Sequence, residues 1–254
     1  MSRASRRWLR VVGWGVAVLV VAVAAVLGWW LVTLPDADGD AVAAVRAAAD
    51  VEVVDRGGGV ELHPATGPSD TAVIFYPGAG VPPEAYLPTW VDVVRDTQVS
   101  VHIPAMPLRL AVLAPGRADR VRAEHPDVSR WWIGGHSLGG AMASSYAGGT
   151  APGDLEGLIL WAAFATGGAG LEQRTDLTVV SVSGSEDGLA TPDDIAARRE
   201  LLPDDAVMVE LDGVNHAQFG RYGAQRGDGT PRVSDARAAE LIADAAAAAL
   251  DHTR

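Results

Sequence analysis

Cysteine is absent from the 254 residues, which excludes a disulfide scaffold, a thiolate nucleophile and any cysteine-ligated metal. Lysine is absent too, so all 20 basic side chains are arginines, set against 32 acids. Arg3, Arg6, Arg7 and Arg10 precede Val11, and no acid occurs before Asp36. The remainder of the chain is strongly acidic, which makes nucleic acid and anionic lipid poor partners for it. No P-loop, dinucleotide fingerprint or metal-ligand cluster is legible, so neither a cofactor nor a metal is expected. There is no repeat of solenoid period. An apolar content of 48% excludes disorder, and the length suits one sizeable domain with a short appendage.

The appendage is N-terminal. Val11 to Leu34 carries no charge, and as a helix it would extend about 36 Å, enough to cross a hydrocarbon core of roughly 30 Å with some tilt. Arginines on its N-terminal side orient it with the N-terminus cytoplasmic and the rest of the chain outside, and Trp29 and Trp30 suit the far interface. The rival reading is a secreted protein after signal-peptide cleavage at Ala22-Val23-Ala24. Cleavage there would leave Leu27 to Leu34 as an exposed apolar N-terminus, so the uncleaved anchor is the expectation. The resulting plan is a cytoplasmic basic segment (1–10), a transmembrane anchor (11–34), a polar linker with a short alanine-rich helix (35–50) and a globular domain (51–254).

Within that domain, Val51 to Val54 and Val60 to His63 read as a hairpin around Asp55-Arg56-Gly57-Gly58-Gly59. Short apolar runs follow at Ala72 to Tyr76, Val99 to Ile103, Trp131 to Gly134, Gly157 to Ala162, Leu177 to Val182 and Ala206 to Leu211. Helical patterns separate most of them, at Pro88 to Asp96, Gly116 to Glu124, Leu138 to Ala147, Pro192 to Leu202 and Asp235 to Asp251, with Thr191 and Ser234 as N-caps. This alternation predicts an α/β fold whose mostly parallel central sheet has helices on both faces.

The most informative stretch is Trp131-Trp132-Ile133-Gly134-Gly135-His136-Ser137-Leu138-Gly139-Gly140. An apolar strand runs into G-x-S-x-G and then into a helix, the pattern of a nucleophile elbow that lifts a serine Oγ to the rim of a sheet. Gly135 and Gly139 lack the Cβ that would keep strand and helix apart.

Ser137 needs a base from elsewhere in the chain. His63 and His102 fall in predicted strands, His125 ends a helix and His252 lies in the terminus, all positions that suit structural or solvated histidines. His136 points away from its neighbour in an extended strand, although its ring is a candidate for the pocket wall. His216 follows the last predicted strand, at the strand end where open α/β sheets build their sites. The carboxylate that fixes the tautomer of such a base is sought in Ser183-Gly184-Ser185-Glu186-Asp187-Gly188, where Asp187 is the choice and Glu186 the alternative. An oxyanion hole would combine the amide of Leu138 with that of Ala79, in Pro77-Gly78-Ala79-Gly80 after the third strand.

These pieces resemble the α/β-hydrolase superfamily, and in particular small bacterial members related to dienelactone hydrolases. The resemblance runs from about Val51 to the C-terminus. It is carried by Phe75-Tyr76-Pro77-Gly78, Gly134 through Gly140, Gly184 through Asp187 and Asn215 through Gly223. Dienelactone hydrolases proper have a cysteine nucleophile where this chain has Ser137, so their lactone substrate does not carry over. The resemblance implies hydrolysis of an ester-type acyl bond by Ser137, His216 and Asp187, with carboxylesterase the leading activity. Thioesterases, peptidases and acyltransferases use the same parts, and a catalytically silent binding module is the alternative from another class. Only Phe164 to Asp176 separates two strands where relatives insert a lid, so a lidless, open pocket is expected, walled by Tyr76, Met106, Phe164 and Phe219 beside His136.

Overall fold

The strands do form, and they form one sheet. In this computed structural model, which describes Gly28 and residues 33–251, the eight strands are β1 (Val51–Arg56), β2 (Gly59–Pro64), β3 (Thr71–Tyr76), β4 (Ser100–Ile103), β5 (Arg130–His136), β6 (Gly157–Trp161), β7 (Thr178–Gly184) and β8 (Val207–Leu211). Their spatial order is β1-β2-β4-β3-β5-β6-β7-β8. The β1–β2 and β2–β4 pairs are antiparallel, and all the others are parallel.

The helices are α1 (Gly39–Arg46), α2 (Leu87–Thr97), α3 (Arg117–Glu124), α4 (Leu138–Gly149), α5 (Pro192–Ala197) and α6 (Asp235–Asp251). The chain divides into Met1–Leu34 and Pro35–Arg254. The basic segment and nearly all of the apolar run lie outside the described residues, as does His252. Among the described residues no helix is long and apolar enough to cross a membrane.

Successive strand residues face opposite sides, and both sides are buried. Val73, Phe75, Val101, Trp132, Ile159, Trp161 and Val180 join one core with α2 and α6, whereas Ala72, Ile74, Ile133, Leu158 and Leu160 join another with α3 and α4. Trp90 of α2 stacks on Trp161 at 4.8 Å between ring centroids, and Phe75 lies 4.6 Å from Trp161. The indole N–H groups of Trp90 and Trp161 are buried without partners, each a cost of about 1–3 kcal/mol. Burying some 200 Å² of each indole offsets it, at about 5 kcal/mol.

Three local expectations need correction. The hairpin turn is shorter than read, because Arg56 pairs with Gly59 and only Gly57 and Gly58, at φ 57° and 84°, make the reversal. The helix begun at Pro192 stops at Ala197, after a proper Thr191 cap on the Asp194 N–H, and continues only as a 3₁₀ turn over Arg199–Leu201. Pro203 accounts for the end of that turn, since it disfavours helical backbone at Leu202, which is extended. The segment after Leu34 is not a free linker: the Pro35 carbonyl accepts from Arg109 Nη1 at 2.7 Å, and Asp38 both caps α1 and pairs with Arg221 at 2.7 Å.

Candidate active site

At the end of β5 the backbone turns through Ser137 at φ 52° and ψ −123°, a region in which a residue with a Cβ is strained by about 1–3 kcal/mol. The turn is held by the Ser137 N–H on the Trp161 carbonyl at 3.0 Å and by the Ala141 N–H on the Ser137 carbonyl at 3.0 Å. A Cβ on Gly139 would overlap the Tyr76 carbonyl, so only glycine permits α4 to start this close to β3. Ser137 is half-buried, and its hydroxyl has no hydrogen-bond partner among the described residues.

Asp187 and His216 meet from separate loops. Oδ2 of Asp187 lies 2.8 Å from His216 Nδ1, while its Oδ1 accepts the Leu189 and Ala190 N–H groups at 2.8 and 2.7 Å. Both side chains are buried. Glu186 faces the other way and pairs with Arg232 at 2.7 Å. The two loops are sewn together by the backbone, Ser185 N–H to Leu211 C=O at 3.0 Å and Glu186 N–H to Val214 C=O at 2.9 Å.

His216 opens a 3₁₀ turn, His216–Phe219, rather than lying in an irregular loop. Asn215 and Gln218 form a reciprocal capping box at its start. Asp228, which drew no notice in the sequence, accepts the His216 and Ala217 N–H groups at 3.2 and 2.9 Å and the Gly188 N–H at 3.2 Å, so one carboxylate clamps both loops.

In the loop after β3, Ala79 is exposed and its N–H has no partner among the described residues, while its neighbours are tied down. Gly78 N–H donates to the Tyr86 hydroxyl at 2.8 Å and Gly80 N–H to the Arg109 carbonyl at 2.8 Å. Leu138 is the first residue of α4, where a helix has no internal acceptor for its N–H. Tyr86 and Arg109 therefore shape the loop that carries Ala79. Neither shows any local sequence signal, because their partners lie far along the chain.

The expected pocket wall is only partly there. Tyr76 is fully buried, its hydroxyl bonded to the Pro115 carbonyl at 2.8 Å and the Ala118 N–H at 2.7 Å, and Phe219 is fully buried in the core. Both aromatics turn inward. His136 is buried as well, with Nδ1 3.0 Å from the Tyr86 hydroxyl, its ring stacked on Phe219 and lying 4.6 Å from the His216 ring. It backs the site rather than lining it. Burial and then the neighbouring His216 hold His136 well below the usual histidine range, so it stays uncharged. Met106 lines a cavity of about 170 Å³ with Pro77, Val81 and Pro83, next to the Ala79 loop. Phe164 is part-exposed under the Arg198 guanidinium, 4.0 Å from its ring centre.

A family model described as "Alpha/beta hydrolase family" matches residues 72–240. No curated protein matches the sequence. Among solved structures, a mutant of the esterase rPPE is 14% identical over 85% of this chain and 87% of its own, with a TM-score of 0.60. A thermophilic esterase from the Planctomycetes species Thermogutta terrifontis is 15% identical over 82% and 93%, at 0.53. An assigned dienelactone hydrolase from Klebsiella pneumoniae is 14% identical over 76% and 91%, at 0.52. At these identities the likeness is one of fold.

Proposed function

The chain belongs to the alpha/beta hydrolase family, and from that premise we propose that it is a membrane-anchored serine hydrolase acting on an ester-type acyl bond. Ser137 Oγ attacks the acyl carbonyl while His216 takes its proton. Asp187 holds the imidazole with its Nδ1 proton toward the carboxylate and stabilises the imidazolium that forms. His216 then returns the proton to the departing alcohol, and a water activated by the same imidazole releases the acyl group from Ser137. The amides of Ala79 and Leu138 receive the oxyanion.

The observation that carries this reading is the pairing of Asp187 with His216 at 2.8 Å, the His216 ring lying 4.6 Å from that of His136, the residue before a serine held at φ 52°. Strain retained at a residue whose hydroxyl is left unbonded fits a nucleophile better than a structural serine. Val11 to Leu34 is proposed to hold the domain at the outer face of a membrane. The test is fluorophosphonate labelling of the full-length protein, followed by turnover over panels of esters, thioesters and amides. The wild type should label and turn over esters, and Ser137→Ala should do neither. Equal labelling of both proteins would remove Ser137 as nucleophile.

A further inference from the structure

A second cluster lies on other elements. Glu61 on β2 and His102 on β4 are direct partners in the antiparallel ladder, and His125 caps the C-terminus of α3 beside them. His125 Nε2 is 2.9 Å and His102 Nδ1 3.5 Å from the same Glu61 oxygen. One ligand atom from each of the three residues falls within 4.8 Å of the others. His102 is 98% buried, at 2% exposure, and neither of its ring nitrogens has a hydrogen bond. An imidazole with both nitrogens unpaired in the interior is costly, and Nδ1 is aimed at a carboxylate oxygen too distant to satisfy it.

We propose that Glu61, His102 and His125 form a binding site for a divalent cation of the zinc type. The donor set, two imidazoles and a carboxylate, is one that zinc accepts, with a fourth position left for water or a further ligand. Bonds of about 2.0–2.1 Å in a tetrahedral site place ligand atoms roughly 3.3 Å apart, a spacing bracketed by the two carboxylate–imidazole distances, 2.9 and 3.5 Å, with the two imidazole atoms within 4.8 Å of each other. The cation would take the lone pair of His102 Nδ1. His63 Nε2, 3.3 Å from the other Glu61 oxygen, orients the carboxylate from behind. A cavity of about 300 Å³ opens beside the cluster, lined by Arg56, Glu61, His102 and Arg117, and gives an entry path with room for water.

Arg56 competes for the same oxygen. Its Nε lies 2.6 Å from Glu61 Oε1, and its side chain is 52% exposed. It can therefore rotate to solvent when a cation replaces its charge, so it acts as a weak counter-ion rather than a fixed member. Bound metal would cross-link β2, β4 and α3. The candidate nucleophile and its partners stand on β5 and on the loops after β7 and β8, so the site is independent of the proposed hydrolysis.

The test uses the full-length protein in detergent, stripped with chelator and dialysed against micromolar free zinc. Metal is counted per chain by mass spectrometry, and thermal unfolding is followed in parallel. One zinc per chain and a rise of several degrees in Tm are expected. Glu61→Gln and His102→Gln should fall to background, whereas Ser137→Ala should keep full occupancy. Arg56→Ala should bind about 10-fold tighter, since it removes a competing cation. Should the two buried variants misfold by circular dichroism, His125→Gln at the part-exposed helix end decides, with loss of zinc expected. Absence of zinc from the wild type after dialysis against zinc, or occupancy retained in folded His102→Gln or His125→Gln, overturns the site.

Discussion

The Tyr86 hydroxyl lies 3.0 Å from His136 Nδ1 and accepts the Gly78 N–H at 2.8 Å. One buried phenol thus connects the loop that presents Ala79 to the residue preceding Ser137. Burial, with a smaller contribution from Tyr222, pushes Tyr86 well above the usual tyrosine range, and His136 is held uncharged. The contact is therefore between neutral groups: Tyr86 O–H donates to Nδ1, which leaves the His136 proton on Nε2.

Because Tyr86 positions Gly78, and with it the neighbouring amide, Tyr86→Phe should loosen the proposed oxyanion donor while leaving the apolar packing intact. One neutral hydrogen bond is worth about 1 kcal/mol, so kcat should fall roughly 5-fold with KM nearly unchanged. Steady-state kinetics on the best ester checks this. A loss confined to KM would show that Tyr86 acts on substrate binding instead.

Asp187→Asn should lower kcat by about 10⁴-fold, the scale seen when a triad base loses its carboxylate. Glu186→Gln should change it less than threefold or so, because that side chain meets Arg232 and not His216. If the two variants ranked the other way, the acid would have to be reassigned to Glu186.

Much of this was legible because parallel strands buried on both faces read as continuous apolar runs. The last helix occupies Asp235–Asp251 as read, since Ser234 marks its start by accepting the Arg237 N–H. What escaped the sequence depends on long-range pairing. Glu186 and Asp187 share one turn, and only the placement of Arg232 and His216 separates them. Tyr86 and His136 are 50 residues apart, and no local pattern joins them. Periodicity gives a strand-end aromatic such as Tyr76 no inward or outward sense once both faces are buried, and a loop position such as Phe219 carries no periodic signal at all. The Glu61, His102 and His125 cluster has no local signal either, as its members come from two paired strands and a helix end.

The topology proposal makes a separate claim. Full-length protein should sediment with membranes, resist extraction by high salt or carbonate, and dissolve only in detergent, with the domain accessible to protease from outside. Recovery of a soluble secreted form beginning near Ala25 would replace the anchor with a cleaved signal.

The final prediction concerns stability against acid. His136 has its folded-state pKa depressed below the unfolded value of about 6.5, and buried His102 is depressed in the same direction, chiefly by desolvation. Between the folded and unfolded values the unfolded chain carries a proton that the native state refuses. The native state therefore keeps its full stability above pH ~6.5 and loses it as pH falls, at up to about 1.4 kcal/mol per pH unit for each such histidine. Glu61 adds a loss of its own only in stronger acid. Burial alone would raise its pKa, but the neighbouring His102 and His63 imidazoles outweigh this and hold it well below the usual range, so its contribution fades below about pH 4.5. Urea unfolding of the detergent-solubilised protein, followed by tryptophan fluorescence from about pH 7.5 to 5.5, therefore isolates the histidines. Wild type should weaken steadily below ~6.5, and His136→Gln, which keeps a partner for Tyr86 but cannot titrate, should lose part of that slope. An unchanged slope in His136→Gln would mean that His136 is protonated in the folded protein, and with it the neutral contact to Tyr86 would have to be abandoned.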